Sequence, residues 1–314
     1  MKIMTAIFLV LFSMSICSQA LAADNDDEAM RRYNEAIKKQ QGQQPTPMQE
    51  LKKALARQEL RGKIDALASN IKSKTGVKVY YSGSLIADSK EKIRYSYPND
   101  LSDLLVFMTQ LSKEITRYST RDLQLFKISN IVLCKNMDYE GKHDTGRADY
   151  VNETIFYDIY FGRSNNILKN SNKQKINKYI AHVIHHEIFH MIDFALFENE
   201  HTRKKIRYTE HPLAWKYNTW ATLNPIIDPK YYNELMAKPM KAMDLDSPFI
   251  GYVNTYALHY EFEDRAEIYA FILTEDQNDQ SVGSFKYFTM TDPIIMKKMA
   301  AIIDALGYLK SFQN

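Results

Sequence analysis

The chain has 314 residues, 45% of them hydrophobic, enough to bury a sizeable core in one large domain or two small ones. Its formal charge is +3 and it has no basic block, which argues against a nucleic-acid partner and against binding to a membrane surface. There are two cysteines, Cys17 and Cys134, and Cys17 lies in the N-terminal segment expected to be removed, so no intramolecular disulfide is expected in the processed chain.

The N-terminus reads as a signal peptide over residues 1–22. Lys2 supplies a positive start, Ile7 to Ile16 is mostly apolar, and Ala20-Leu21-Ala22 has the form of a signal peptidase site. An exported protein, periplasmic or secreted, is expected. No stretch reaches about 18 continuous apolar residues, so no stable membrane insertion is expected. Residues 23–47 are acidic, then Gln-rich, then broken by Pro45 and Pro47, and read as a polar mobile leader. Residues 48–314 show no repeat and no sharp break in composition, and are expected to form a single domain.

Within it, Leu51, Leu55, Leu60, Ile64, Leu67 and Ile71 predict a helix from Met48 to Lys74, ended by Gly76. Val77–Tyr81 predicts a strand, and Pro98-Asn99-Asp100 starts a second helix from about Leu101 to Tyr118. Phe126–Leu133 predicts a second strand, and Cys134 after it is expected to be a buried strand cysteine. Asp138–Arg147 is polar, carries Gly141 and Gly146, and reads as a loop. Glu153–Phe161 alternates and predicts a third strand. It could be an edge that holds an extended peptide, or an ordinary sheet strand.

A long helix follows from about Lys173 to Phe197, and it carries His186-Glu187-Ile188-Phe189-His190. Positions four apart share a helical face, so His186 and His190 can aim two imidazoles at one point. Two imidazoles suit Zn²⁺, which still needs a third protein ligand and a water. Glu187 is placed to deprotonate that water. His182 and His186 have the same spacing, but His182 lacks the adjacent glutamate. A stretch from His211 to Pro225, with Trp215 and Trp220, could wall a cleft or be plain core.

The second informative stretch runs from Gly251 to Ala270. It begins as a turn and becomes a helix near Glu261, on which Glu263 and Glu267 share a face. One carboxylate could bind a metal while the other accepts a hydrogen bond from a liganding imidazole. A solvated acidic face is the plainer reading of such a pair. His259 could line a pocket or be a surface histidine.

Taken together, these elements resemble the gluzincin metallopeptidases, and among them the catalytic domain of the anthrax lethal factor family. There the pattern is H-E-F-G-H-x-x-D, then S-Y-G, then an E-x-x-A-E helix. Here it is His186 to Asp193, then Thr255-Tyr256-Ala257, then Glu263-Asp264-Arg265-Ala266-Glu267. The likeness spans residues 153–273, under half of the chain. It implies an α+β, zincin-like fold: a small mixed sheet packed on the H-E-x-x-H helix, with a second, glutamate-bearing helix crossing beneath the metal. It also implies one Zn²⁺ per chain, held by His186, His190 and Glu263. Glu187 would be the base, Tyr256 the donor to the developing oxyanion, and Glu267 the residue that orients a liganding histidine. Asp193 would be a capping or supporting acid, with ligation a minor option. A zinc metallopeptidase acting on a peptide or protein substrate, taken as an endopeptidase, is the expectation. The alternative is an exported binding protein with a degenerate or structural zinc site. A structural site would normally close its fourth position with another His or Cys.

Overall fold

The computed structural model of the protein describes residues 46–82, 93–160, 172–204, 220–224, 250–275 and 290–311, together with positions 31 and 35. The residues expected to form a signal peptide, nearly all of those read as a leader and most of the stretch from 201 to 250, Trp215 included, lie outside the described residues. The chain divides into two compact units, Met1–Glu59 and Leu60–Asn314.

In the first unit, Thr46 caps the start of helix α1 (Pro47–Thr75). The Thr46 N–H donates to Gln49 Oε1 at 2.8 Å, and Gln49 N–H donates back to Thr46 Oγ1 at 3.3 Å. This reciprocal pair is a capping box. Of the apolar pattern read along α1, Leu51 and Leu55, in the first unit, are exposed, while Ile64 and Ile71, which belong to the second, are buried.

The second unit is α+β. Its sheet is mixed, built from β1 (Lys78–Tyr80), β2 (Ile93–Ser96), β3 (Asn130–Tyr139), β4 (Lys142–His143), β5 (Gly146–Asp149) and β6 (Thr154–Asp158). The main path runs β1-β3-β6-β5, and β2 and β4 pair with the far half of β3. β1 and β6 flank β3 in parallel, and β5 closes the path antiparallel to β6. Side chains alternate along β3. Ile131 and Leu133 enter the main core, while Val132, Cys134 and Met137 join Phe156 in a smaller cluster. Cys134 is a buried strand residue, and burial pushes its thiol pKa up, which makes it a poor nucleophile.

Two expectations need correction. Asp138–Arg147 is no open loop: β3 runs on to Tyr139, turns at Gly141 (φ +85°) into β4, and β5 begins at Gly146. Of the two readings open for Glu153–Phe161, the structure shows the ordinary sheet strand. β6 is hydrogen-bonded on both sides, which is why all five of its residues are buried, and among the described residues the edge is β5. The strand expected from Phe126 is also displaced. Phe126 caps α3 (Thr120–Leu125), and β3 starts at Asn130.

Helix α2 (Leu101–Ile115) is capped by Asp100, which accepts from the Ser102 and Asp103 N–H groups. Helix α4 (Lys173–Lys204) carries the histidines. Asn172 caps it, accepting from Lys175 N–H at 2.9 Å. Ile184, Ile188 and Ile192 pack α4 into the core, and the Tyr157 hydroxyl of β6 donates to the Ile184 carbonyl at 3.1 Å. That bond sets the height of the helix over the sheet.

Helix α5 (Glu261–Thr274) lies against α4, with Glu261, Glu263 and Asp264 in its first turn, where carboxylates complement the helix dipole. A last helix, α6 (Pro293–Ser311), was not foreseen from the sequence. Its fully buried Lys298 bonds Asp264 Oδ2 at 2.6 Å and the Gly251 carbonyl at 2.5 Å, and the Trp220 indole N–H reaches the same Asp264 oxygen at 2.6 Å. These contacts fix the start of α5. Among the described residues, no helix is long and apolar enough to cross a membrane.

Candidate metal centre

His186 and His190 project from one face of α4, as their spacing requires, and Glu263 meets them from the first turn of α5. Their donor atoms converge: His186 Nε2 lies 3.0 Å from His190 Nε2 and 3.0 Å from Glu263 Oε2, and His190 Nε2 lies 3.4 Å from that same oxygen. Ligand atoms about 2.0–2.1 Å from a tetrahedral zinc stand about 3.3 Å from one another, so this triangle is close to the size such an ion needs. Glu263 Oε2 is buried and, despite these approaches, takes part in no well-formed hydrogen bond. Two imidazole nitrogens and a buried carboxylate oxygen that meets them without a well-formed hydrogen bond are a donor set that fits Zn²⁺.

The charge distribution points the same way. Burial pushes the His186 pKa down, but Glu263 and Glu267 flank the ring and hold it well above the ordinary value. Burial likewise opposes ionisation of Glu263, yet the His186 and His190 imidazoles keep its carboxyl well below the usual range. The pocket is therefore built to hold positive charge at this point.

Glu267 stands behind His186, its Oε1 2.8 Å from His186 Nδ1, though off the line of a well-formed hydrogen bond. Its other oxygen meets His182 Nε2 at 2.8 Å and accepts from the Asn254 side-chain amide. His182, His186 and Glu267 could also surround an ion by distance alone. In that group, however, Glu267 Oε2 is already engaged by His182 and Asn254, and neither His182 nor Glu267 is among the residues lining the cleft. The set with His190 meets through His186 Nε2, and all three of its residues line the cleft.

That cleft has a volume of about 440 Å³, and its walls include Asp144, Gly146 and Arg147 of the β5 side, Glu187, Tyr256 and Phe262. Glu187 is 6% exposed. Burial pushes its carboxyl pKa up to about 7, against the pull of His186 and His190. Tyr256 opens a short 3-10 turn, Tyr256–Leu258, and its ring centroid is 5.8 Å from that of His186. Burial, then the nearby Glu263 and Asp144, hold its phenol well above the ordinary pKa, so it stays a donor.

Asp193 takes a different place. Its carboxylate meets Arg265 of α5 through Nη2 at 2.6 Å and Nε at 3.1 Å, a two-pronged ion pair that ties α4 to α5. His259 lies half-buried, edge-on to Tyr256 at 5.2 Å. Sequence reasoning missed Asp144, Gly146 and Arg147, which it assigned to a loop. It also missed the pairing of His182 with Glu267, although the i, i+4 spacing of His182 and His186 opposite that of Glu263 and Glu267 was a usable signal.

No protein-family model matches this sequence, and no curated protein matches it either. Among solved structures, the chain is similar to a "putative zinc-binding metallo-peptidase" from Bacteroides caccae, with 17% identity and a TM-score of 0.39 over 80% of this chain and 91% of that one.

Proposed function

We propose that this protein is an exported zinc-dependent peptidase that hydrolyses peptide bonds in the cleft between β5 and α4. One observation carries the reading. The donor atoms of His186, His190 and Glu263 converge beside Glu187, a buried carboxylate that faces the same cleft and is not one of the three. A structural site has no use for such a fourth group.

Held by His186, His190 and Glu263, zinc would supply Lewis acidity, polarising a carbonyl and making a water more acidic. Glu187 takes a proton from the attacking water as the water oxygen adds to the peptide carbonyl carbon. As the C–N bond breaks, Glu187 returns that proton to the departing nitrogen, which leaves as an amine. Tyr256 donates its phenol to the carbonyl oxygen as negative charge grows there. Glu267 fixes the His186 ring from behind. Among the described residues one side of β5 is unpaired and offers main-chain groups to an extended substrate, so strand addition is assigned to β5. The His-His-Glu set with its supporting glutamate favours a gluzincin-type site, while the likeness to the lethal factor family rests on the sequence motifs alone.

The test is metal content and turnover together. Full-length protein should carry one zinc per chain, and His190→Ala or Glu263→Ala should lose it. Glu187→Gln should keep the zinc and lose turnover of a broad peptide library by about 10²–10⁴-fold. Full zinc in Glu263→Ala, or unchanged hydrolysis in Glu187→Gln, would refute the assignment.

A further inference from the structure

The cleft does not end at the donor cluster. Phe194 follows His190 by four residues on α4, so the two share a face, one helical turn or about 6 Å apart. Its ring is 43% exposed, and Val151 is 76% exposed. Between them Tyr150, directly after β5, stacks on Phe194 with centroids 5.4 Å apart and planes 26° off parallel. All three line the same cleft as His186 and Glu187. Single exposed apolar residues mean little, but three contiguous ones at the mouth of a site mark a binding surface.

The patch is also fixed in place. The Tyr150 hydroxyl donates to Glu198, and Lys127 Nζ both lies 4.8 Å over the Tyr150 ring and pairs with Glu198 at 2.6 Å. Tyr150 therefore backs Phe194 as a rigid support, and little ordering remains to be done when a ligand arrives. Asp193 lines the cleft too, but its carboxylate is held by Arg265. Beside it, Tyr150, Val151 and Phe194 give this end of the cleft an apolar, largely aromatic surface.

Resting on the peptidase reading, we propose that Tyr150, Val151 and Phe194 form a subsite for a large apolar side chain, aromatic by preference, of an extended peptide laid along β5. Position supports this choice of occupant. Tyr150 continues directly from the edge strand, so a peptide paired with β5 runs toward the patch. An extended chain rises about 3.3 Å per residue, so one helical turn from His190 is the reach of about two residues. An aromatic ring can stack on Phe194 at the usual 4.5–7 Å, a gain that a flexible aliphatic chain matches less well.

The experiment measures binding apart from turnover. Zinc-loaded Glu187→Gln protein is titrated with capped hexapeptides of Ala and Gly in which a single Phe, Leu or Asp is walked through the sequence. One position should favour Phe over Ala by about 5–20-fold in Kd and should disfavour Asp. Adding Phe194→Ala or Val151→Asp should abolish the Phe gain while the all-Ala/Gly peptide binds within about twofold and the melting temperature stays near that of the parent. Equal binding of Phe and Ala everywhere, or a Phe gain that survives both substitutions, overturns the subsite. Wild-type protein is then given the same peptides. Cleavage without a Phe preference leaves the peptidase reading standing and removes the subsite. A Phe194-dependent preference without any cleavage keeps the subsite and removes the peptidase reading. If no peptide binds, both fall.

Discussion

Gly146 and Glu187 touch so closely that no side chain fits between them. A Cβ on Gly146 would stand 2.4 Å from Glu187 Oε1 and 2.5 and 2.6 Å from its Cγ and Cδ. The backbone of Gly146 lies outside the left-handed region, so the demand is one of space, set by the edge strand pressing on the carboxylate. Gly146→Ala must push Glu187 aside, and a displacement of about 1 Å in a reacting group can cost about 10²-fold. The expected outcome is a fall of that order in kcat with zinc content unchanged. Full activity in the variant would show that the position of Glu187 does not matter to turnover.

Tyr256 faces the cleft from its 3-10 turn, 5.8 Å from His186 by ring centroids. Tyr256→Phe keeps the ring and removes only the hydroxyl. A donor that acts on developing charge should appear as a loss in kcat of about 10²–10³-fold with KM little changed. Zinc content and melting temperature should stay near wild type. A lower melting temperature with normal kcat would make Tyr256 a packing residue only.

The spacing of the helices made part of this arrangement legible. His186 and His190 at i, i+4 on α4, and Glu263 and Glu267 at i, i+4 on α5, had to form two short rows, and a shared apolar core between the helices brings the rows together. That the rows meet was not in their spacing; it was implied only by the resemblance, and the fold brings the donor atoms of His186, His190 and Glu263 together. The other wall was illegible for a physical reason. β5 is four residues long, begins with a glycine chosen for the carboxylate it touches, and carries Arg147 and Asp149, so it shows neither the alternation nor the β-branched content of a strand. Among the described residues the edge is β5, which was thus hidden in a stretch that reads as a loop. The more regular β6, for which an edge and an ordinary sheet strand were both open, lies inside the sheet. Asp193 was placed on the correct helix, but its partner, Arg265, could not be read without knowing how α4 and α5 cross.

The Asp193–Arg265 pair yields a prediction that separates support from ligation. Both side chains are nearly buried, at 7% and 4% exposure. Removing the cation alone by Arg265→Ala leaves the carboxylate buried without this partner, which typically costs about 3–5 kcal/mol. A large drop in the chemical-denaturation midpoint is expected. Asp193→Asn should bind zinc at full stoichiometry when assayed below its melting temperature. Loss of zinc in folded Asp193→Asn would return Asp193 to the ligand set.

Stability in acid should trace in part to Glu114, on the side of α4 away from the cleft. Glu114 accepts from Gln110 and Arg117, each at 2.7 Å, and from His185 Nε2 at 3.0 Å, while His185 Nδ1 meets the Tyr118 hydroxyl at 2.7 Å. Burial pushes the Glu114 carboxyl up, but the His185 and Arg117 contacts outweigh it and hold the pKa at about 2, against an ordinary 4.5. Below about pH 5 the unfolded chain therefore binds a proton at this carboxyl that the folded chain refuses. The stabilisation it provides is fully present above the unfolded value and drains away as the pH falls from there toward about 2. Burial lowers the pKa of His185, which adds to the same acid sensitivity from about neutrality downward. Glu114→Gln should be less stable than wild type at pH 7, having lost the charge in those bonds, but should lose less on going from pH 5 to pH 3. Urea midpoints for both proteins at pH 7, 5, 4 and 3 decide the matter. Parallel curves would mean that Glu114 titrates alike in the folded and unfolded chains, and that the acid limb belongs to other groups.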